Sequence, residues 1–156
     1  MNYDAAVPPL VPAPSPLRIE RVGFEALDAI RALNRTIFSE ERVINTFDRE
    51  GLMMLVALAG ETPVGFKIGY RENRHTFYSA KGGVLADVRR HGVARRLLLD
   101  MLARVKAEGY HTFAFDTFPN RHPGMSVLAL TEGFRLVRAD FNTTYHDYRL
   151  RFEKRV

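Results

Sequence analysis

Gly83-Val84-Leu85-Ala86-Asp87-Val88-Arg89-Arg90-His91-Gly92-Val93-Ala94-Arg95-Arg96-Leu97 decides how this chain reads. Apolar, β-prone residues run into a short basic loop, and the loop opens directly into an amphipathic helix. Gly92 and Ala94 are small at the mouth of that helix. Small side chains there let a ligand touch the first turn, where amide N–H groups lack partners and the dipole end is positive. With Arg89, Arg90, Arg95 and Arg96 beside it, the turn reads as an anion cradle. A tight turn with a solvated basic rim reads equally well from R-x-x-G-x-A alone. The stretch is neither a Walker loop nor a dinucleotide fingerprint, because it lacks Gly-Lys-Ser/Thr and Gly-x-Gly-x-x-Gly.

Outward from this stretch the elements order themselves. Downstream, Ala94, Leu97, Leu98, Met101, Leu102 and Val105 share one helical face, and Gly109 suits the stop. Residues 111–116 alternate as a strand, residues 125–133 suggest a helix, and 134–137 and 143–152 are two last strands. Upstream, 52–59, 64–72 and 76–88 form a three-strand meander, with turns at 60–63 and 73–75. Gly82-Gly83 inside the third strand predicts a bulge or a close approach by another backbone. Leu17–Val22 alternates as a first strand, Phe24 to Arg35 has helical spacing, and Ser39-Glu40-Glu41-Arg42 resembles the capped start of a second helix reaching Arg49. The expected fold class is α/β (α+β): a mixed, mostly antiparallel central sheet of about seven strands with helices on both faces.

Residues 1–16 hold five of the eight prolines and read as a Pro/Ala-rich flexible tail, which leaves 17–156 as one domain. The absence of cysteine excludes disulfides, thiolate metal sites and a cysteine nucleophile. No apolar run is long enough to span a bilayer and no signal peptide is evident, so a cytoplasmic protein without a membrane partner is expected. The net charge of +5 suits any polyanionic ligand. The aromatic residues alternate as a core requires, so a nucleic-acid partner is not expected. The histidines show no metal-ligand spacing, and no metal is expected.

Val84 to Ala94 resembles the acetyl-CoA motif of the GNAT superfamily, V-x-P-x-x-(R/Q)-x-x-G-x-(G/A). It matches at Val84, Arg89, Gly92 and Ala94 and departs at Ala86, where proline is usual. Asn120 and Gly133-Phe134 resemble the family's later segment, and the likeness covers most of 17–152. The resemblance implies an acetyl-CoA-dependent N-acetyltransferase, with acetyl-CoA as cosubstrate and a small-molecule or peptide amine as acceptor. It implies that the strand before the motif and the strand after the main helix splay apart. Pantetheine would bond backbone at Val84, Leu85 and Ala86, much as an added strand would. The pyrophosphate would sit on N–H groups among Arg90, His91, Gly92, Val93, Ala94 and Arg95, with Arg89 adjacent, and Asn120 would bond the pantetheine arm. Homodimers are common among similar proteins.

Many relatives carry a general-acid tyrosine four residues before the glycine of their "GF" pair, and here that position is Ala129. Tyr78 and Tyr145 are the substitute catalytic candidates, each of which reads as readily as sheet packing. Glu72, Asp116, His122 and His146 are candidate bases. A non-catalytic CoA-binding sensor is the alternative that the missing tyrosine admits.

Overall fold

The computed structural model describes residues 16–156, so the tail expected over 1–16 lies almost wholly outside the described residues. Seven strands form one sheet: β1 (Leu17–Val22), β2 (Met53–Ala59), β3 (Thr62–Arg71), β4 (Thr76–Val84), β5 (Thr112–Thr117), β6 (Arg135–Asn142) and β7 (Asp147–Arg155). Their order is β1-β2-β3-β4-β5-β7-β6, and every neighbouring pair is antiparallel except β4 with β5. The three helices are α1 (Leu27–Phe38), α2 (Val93–Ala107) and α3 (Pro123–Thr131). The mixed, mostly antiparallel seven-stranded sheet expected from the sequence is the one observed.

Two apolar clusters hold the layers. On one face Ile30 and Leu33 of α1 pack with Val56, Phe66 and Ile68. On the other, Val93, Leu97, Leu98, Met101, Leu102 and Val105 of α2 pack with Leu55, Phe77, Phe113, Phe115 and Phe152, joined by Ala129 of α3. The six α2 residues form the stripe read from the sequence, displaced only in starting at Val93 rather than Ala94. The helix stops where Gly109 takes φ +91°, a left-handed conformation that costs a side-chain-bearing residue.

One expected helix does not form. Ser39 caps the C-terminus of α1 rather than the start of a second helix: its φ is +55° and its N–H donates to the Arg35 carbonyl at 2.9 Å. Buried Asn34 then donates from Nδ2 to the Glu40 carbonyl at 2.7 Å, tying the following segment back to α1. From that irregular segment Val43, Ile44 and Phe47 still fill the α1 cluster. The apolar spacing there marked burial, not helicity.

Candidate active site

β4 and β5 run parallel only from Thr76 to Ser79, opposite Thr112 to Phe115. The cause of their parting lies in β4. Ser79 pairs with Gly69 and Lys81 with Ile68, so Ala80 is an extra residue in the ladder. A bulge of this kind bends its strand. Beyond it β4 follows β3, while Asp116 and Thr117 of β5 follow Arg151 and Leu150 of β7. The result is a V whose β4 side, Ala80 to Val84, has a strand partner on one edge only. Gly83 keeps the opposite face flat: a Cβ there would lie 2.9 Å from Ile37 Cγ2 and from the Phe38 ring, so the end of α1 rests on bare backbone. Phe38 also meets the His122 ring edge-on at 6.2 Å, linking α1 to the loop after β5.

The extended backbone expected over Val84, Leu85 and Ala86 ends at Val84. Leu85 N–H is taken by the Val64 carbonyl at 2.9 Å, and Ala86–Val88 is a 3₁₀ turn whose first carbonyl accepts from Arg89 N–H at 3.3 Å. The backbone open to an added strand is therefore Ala80–Val84.

The loop and helix mouth are arranged for an anion. No side chain caps α2, and its N-cap Gly92 has φ +75°. The first bond of the helix runs from Arg96 N–H to the Gly92 carbonyl at 3.0 Å, which leaves the amides of Val93, Ala94 and Arg95 without intrahelical acceptors. A Cβ on Gly92 would meet nothing within 4 Å, so the space before this turn is open. His91 Nδ1 is buried there without a partner. Arg89 donates from Nε to the Val84 carbonyl at 3.3 Å, which bends the loop toward the end of β4. Arg90 is exposed at φ +70°, and Arg95 meets Glu132 at 2.5 Å. An extended cosubstrate with an amide-bearing arm and a diphosphate fits this donor set: one open strand edge, one uncapped helix mouth and arginines beside it.

Deeper along the V, on the face shared with α1, Tyr78 donates from its hydroxyl to Asp116 Oδ2 at 2.7 Å. Tyr78 stands opposite Ala114, and Asp116 is two residues further along the same face of β5. Burial, and then the Asp116 charge, push the Tyr78 phenol well above its ordinary value. It is a held proton donor, not a base. Asp116 Oδ1 is buried without a partner. Arg151 stands opposite Asp116 and pairs with Glu72 at 2.5 Å and Glu153 at 3.3 Å; the Glu72 hydrogen bond raises its affinity for its proton. Tyr78, Asp116, Glu72 and Arg151 thus form one polar group at the point where the strands separate.

Other candidates lie apart from it. Asn120 is exposed, and its Nδ2 donates to Asp147 Oδ1 at 2.8 Å, so its amide ties the loop after β5 to the start of β7. That bond, above all, holds the Asp147 carboxyl below its ordinary value. Tyr145 is half exposed on the β6–β7 loop, its ring against Phe118 at 5.2 Å and under Arg121 at 5.3 Å. His146 is exposed on the same loop, and Ala129 is wholly buried in the core. Sequence reading missed the Tyr78–Asp116 pair as a pair. Both lie in alternating strands, but which residues meet depends on the parallel register of two strands joined through α2.

A mixed sheet that splits beside an uncapped, arginine-flanked helix mouth defines a class of fold in which an anionic cosubstrate can lie between strands. The family described as Acetyltransferase (GNAT) domain matches residues 24–122, and the chain belongs to it. Solved structures share the architecture. An IAA acetyltransferase from Bacillus cereus is 20% identical with a TM-score of 0.78, covering 90% of this chain and 99% of that one. The ribosomal-protein-S18-alanine N-acetyltransferase from Escherichia coli is 14% identical with a TM-score of 0.78, covering 90% and 94%. A GNAT family acetyltransferase from Elizabethkingia anophelis, with acetyl-CoA bound, is 15% identical with a TM-score of 0.75, covering 90% and 98%. No curated protein matches the chain by sequence. No helix among the described residues is long and apolar enough to cross a membrane.

Proposed function

We propose that this protein transfers an acetyl group from acetyl-CoA to a primary amine. The observation that carries the proposal is the parting of β4 from β5 at Ala80, directly before the uncapped mouth of α2. Acetyl-CoA supplies an activated thioester carbonyl. The amides of Val93, Ala94 and Arg95 hold the diphosphate, and Arg89, Arg90 and Arg95 add positive charge. Arg95 can exchange its exposed Glu132 partner for phosphate at little cost, because such surface pairs contribute about 0–1 kcal/mol. The Ala80–Val84 edge aligns the pantetheine arm by backbone hydrogen bonds.

Asp116 is the group suited to receive the amine. An acceptor amine arrives protonated at neutral pH and must lose a proton before it attacks. Asp116 Oδ1 is an unpaired acceptor, and Tyr78 fixes the orientation of the carboxylate through Oδ2. As the new carbon–nitrogen bond forms and the carbon–sulfur bond breaks, the amine proton passes to Asp116. Tyr78 is a positioning residue here. Its raised affinity for its own proton makes it a poor donor to the leaving sulfur, and buried Ala129 has none to give.

The reading is tested by following CoA release over a panel of amines, with acetyl-CoA protection against thermal unfolding measured beside it. Saturable turnover of at least one amine class and a raised melting temperature are expected. No shift of the melting transition at millimolar acetyl-CoA would remove the proposal.

A further inference from the structure

β6 is an outer strand of the sheet, with side chains exposed from Arg135 to Ala139 and at Phe141. The exposed large apolar side chains gather at this end of the described molecule. Leu136, Val137, Phe141, Tyr145 and Tyr148 belong to the β6–β7 hairpin, Val127 and Leu130 to α3 just before it, and only Phe24 lies elsewhere. An outer strand leaves one row of N–H and C=O groups without a ladder, and proteins ordinarily blunt such an edge with lysine, proline or a bulge. Here a bulge occupies the start of the strand, between Leu136 and Arg138, and the ladder from Arg138 to Asn142 is regular. β6 contains neither lysine nor proline.

The segment Val137-Arg138-Ala139-Asp140-Phe141 is complementary to itself when reversed. We propose that β6 pairs antiparallel with β6 of a second copy of this chain about a two-fold axis at Ala139, joining the two sheets into one. In that register Val137 stands opposite the partner's Phe141 and Arg138 opposite the partner's Asp140, and the symmetry repeats both pairs. The faces agree with this arrangement. Ala139 and Phe141 lie opposite Leu150 and Tyr148 of β7, whereas Arg138 and Asp140 lie opposite Arg151 and Arg149. Alternation therefore places the apolar pairs on one face and the charged pairs on the other. Charge balance also favours the partner. On the charged face Arg138, Arg149 and Arg151 of one copy share Asp140, which is 3.4 Å from Arg138 and 3.5 Å from Arg149. The second copy brings another carboxylate to Arg138. The pairing is isologous, so it closes at two copies.

The test is light scattering coupled to size exclusion, with sedimentation equilibrium, on the full chain and on charge variants of these exposed positions. The wild-type chain is expected at twice the monomer mass. Asp140→Arg sets arginine against arginine twice, and Arg138→Asp sets carboxylate against carboxylate twice; each should weaken self-association by at least roughly tenfold, since facing like charges cost several kcal/mol. Arg138→Asp with Asp140→Arg restores opposite charges in the same register and should restore the dimer. Circular dichroism and the melting transition confirm that each variant is folded. A monomeric wild type, a single variant that dimerises as the wild type does, or a charge-exchanged double variant that stays monomeric would each overturn the proposal. None of these outcomes depends on the acetyltransferase reading.

Discussion

Lys67→Met should make this protein more stable at neutral pH and remove a distinctive pH dependence. Lys67 lies in the middle of β3, 6% exposed, opposite Leu55 and Gly82. Its neighbours two residues away on the same face are Gly65 and Gly69, and Gly82 has no side chain, so the aliphatic stem fills space the glycines leave. Burial alone lowers its pKa from 10.5 to about 8. The folded state therefore binds the proton less tightly than the unfolded chain does. Below about pH 8 the ammonium is charged in both states and the folded state carries the full desolvation cost. Between about 8 and 10.5 the unfolded chain holds more protons, so stability rises with pH through that window. The difference amounts to about 3 kcal/mol. Urea unfolding of the wild type and Lys67→Met, compared from pH 7 to 10.5, isolates this group because the other titrations cancel. At pH 7 the variant's midpoint should be higher by roughly 1–3 M, given ordinary urea dependences. The gap should close as the pH approaches 10.5. A gap equal at both ends of the range, or a variant less stable at pH 7, would refute the reasoning.

Arg89→Glu with Gly92→Glu should abolish acetyl-CoA protection against unfolding. The unliganded melting temperature should fall only slightly, because the Gly92 side is open and the left-handed φ costs about 1–2 kcal/mol; full protection in this variant would exclude the helix mouth as the diphosphate site. Asp116→Asn should lower kcat by about 10²–10⁴-fold while leaving acetyl-CoA protection intact, and single-turnover acetyl transfer at the wild-type rate would rule out the carboxylate as the base. Gly83→Val should displace the end of α1, since atoms of Ile37 and Phe38 already stand 2.9 Å from its Cβ position. A destabilisation of about 1–3 kcal/mol by urea unfolding is expected, and an unchanged midpoint would mean that α1 does not seat there.

Periodicity made much of this fold legible. The α2 stripe from Leu97 to Val105, the alternation of β1 and the meander of β2, β3 and β4 are local patterns, and each element lies close to where its pattern placed it. Gly82-Gly83 correctly signalled a disturbed strand, although the extra residue is Ala80 and the close approach comes from α1 side chains. The segment after Ser39 failed for a tertiary reason: buried Asn34 takes the Glu40 carbonyl, which no local propensity encodes. The strand after the third helix reaches Asn142 rather than Val137, because its partner β7 supplies the ladder that its own composition does not demand. The helix mouth at Gly92 was readable from the sequence because strand, loop and helix are contiguous. The Tyr78–Asp116 pair was not, because its members are brought together by a parallel register across the longest connection in the sheet.

The account rests on the split between β4 and β5 as the seat of the cosubstrate. A crystal structure of the full chain grown with acetyl-CoA addresses it directly. The account predicts the pantetheine arm hydrogen-bonded along Ala80–Val84, the diphosphate on the amides of Val93, Ala94 and Arg95, and the thioester beside Asp116. Acetyl-CoA bound elsewhere on the molecule, or a β4 edge that stays closed against β5 at saturating ligand, would contradict it.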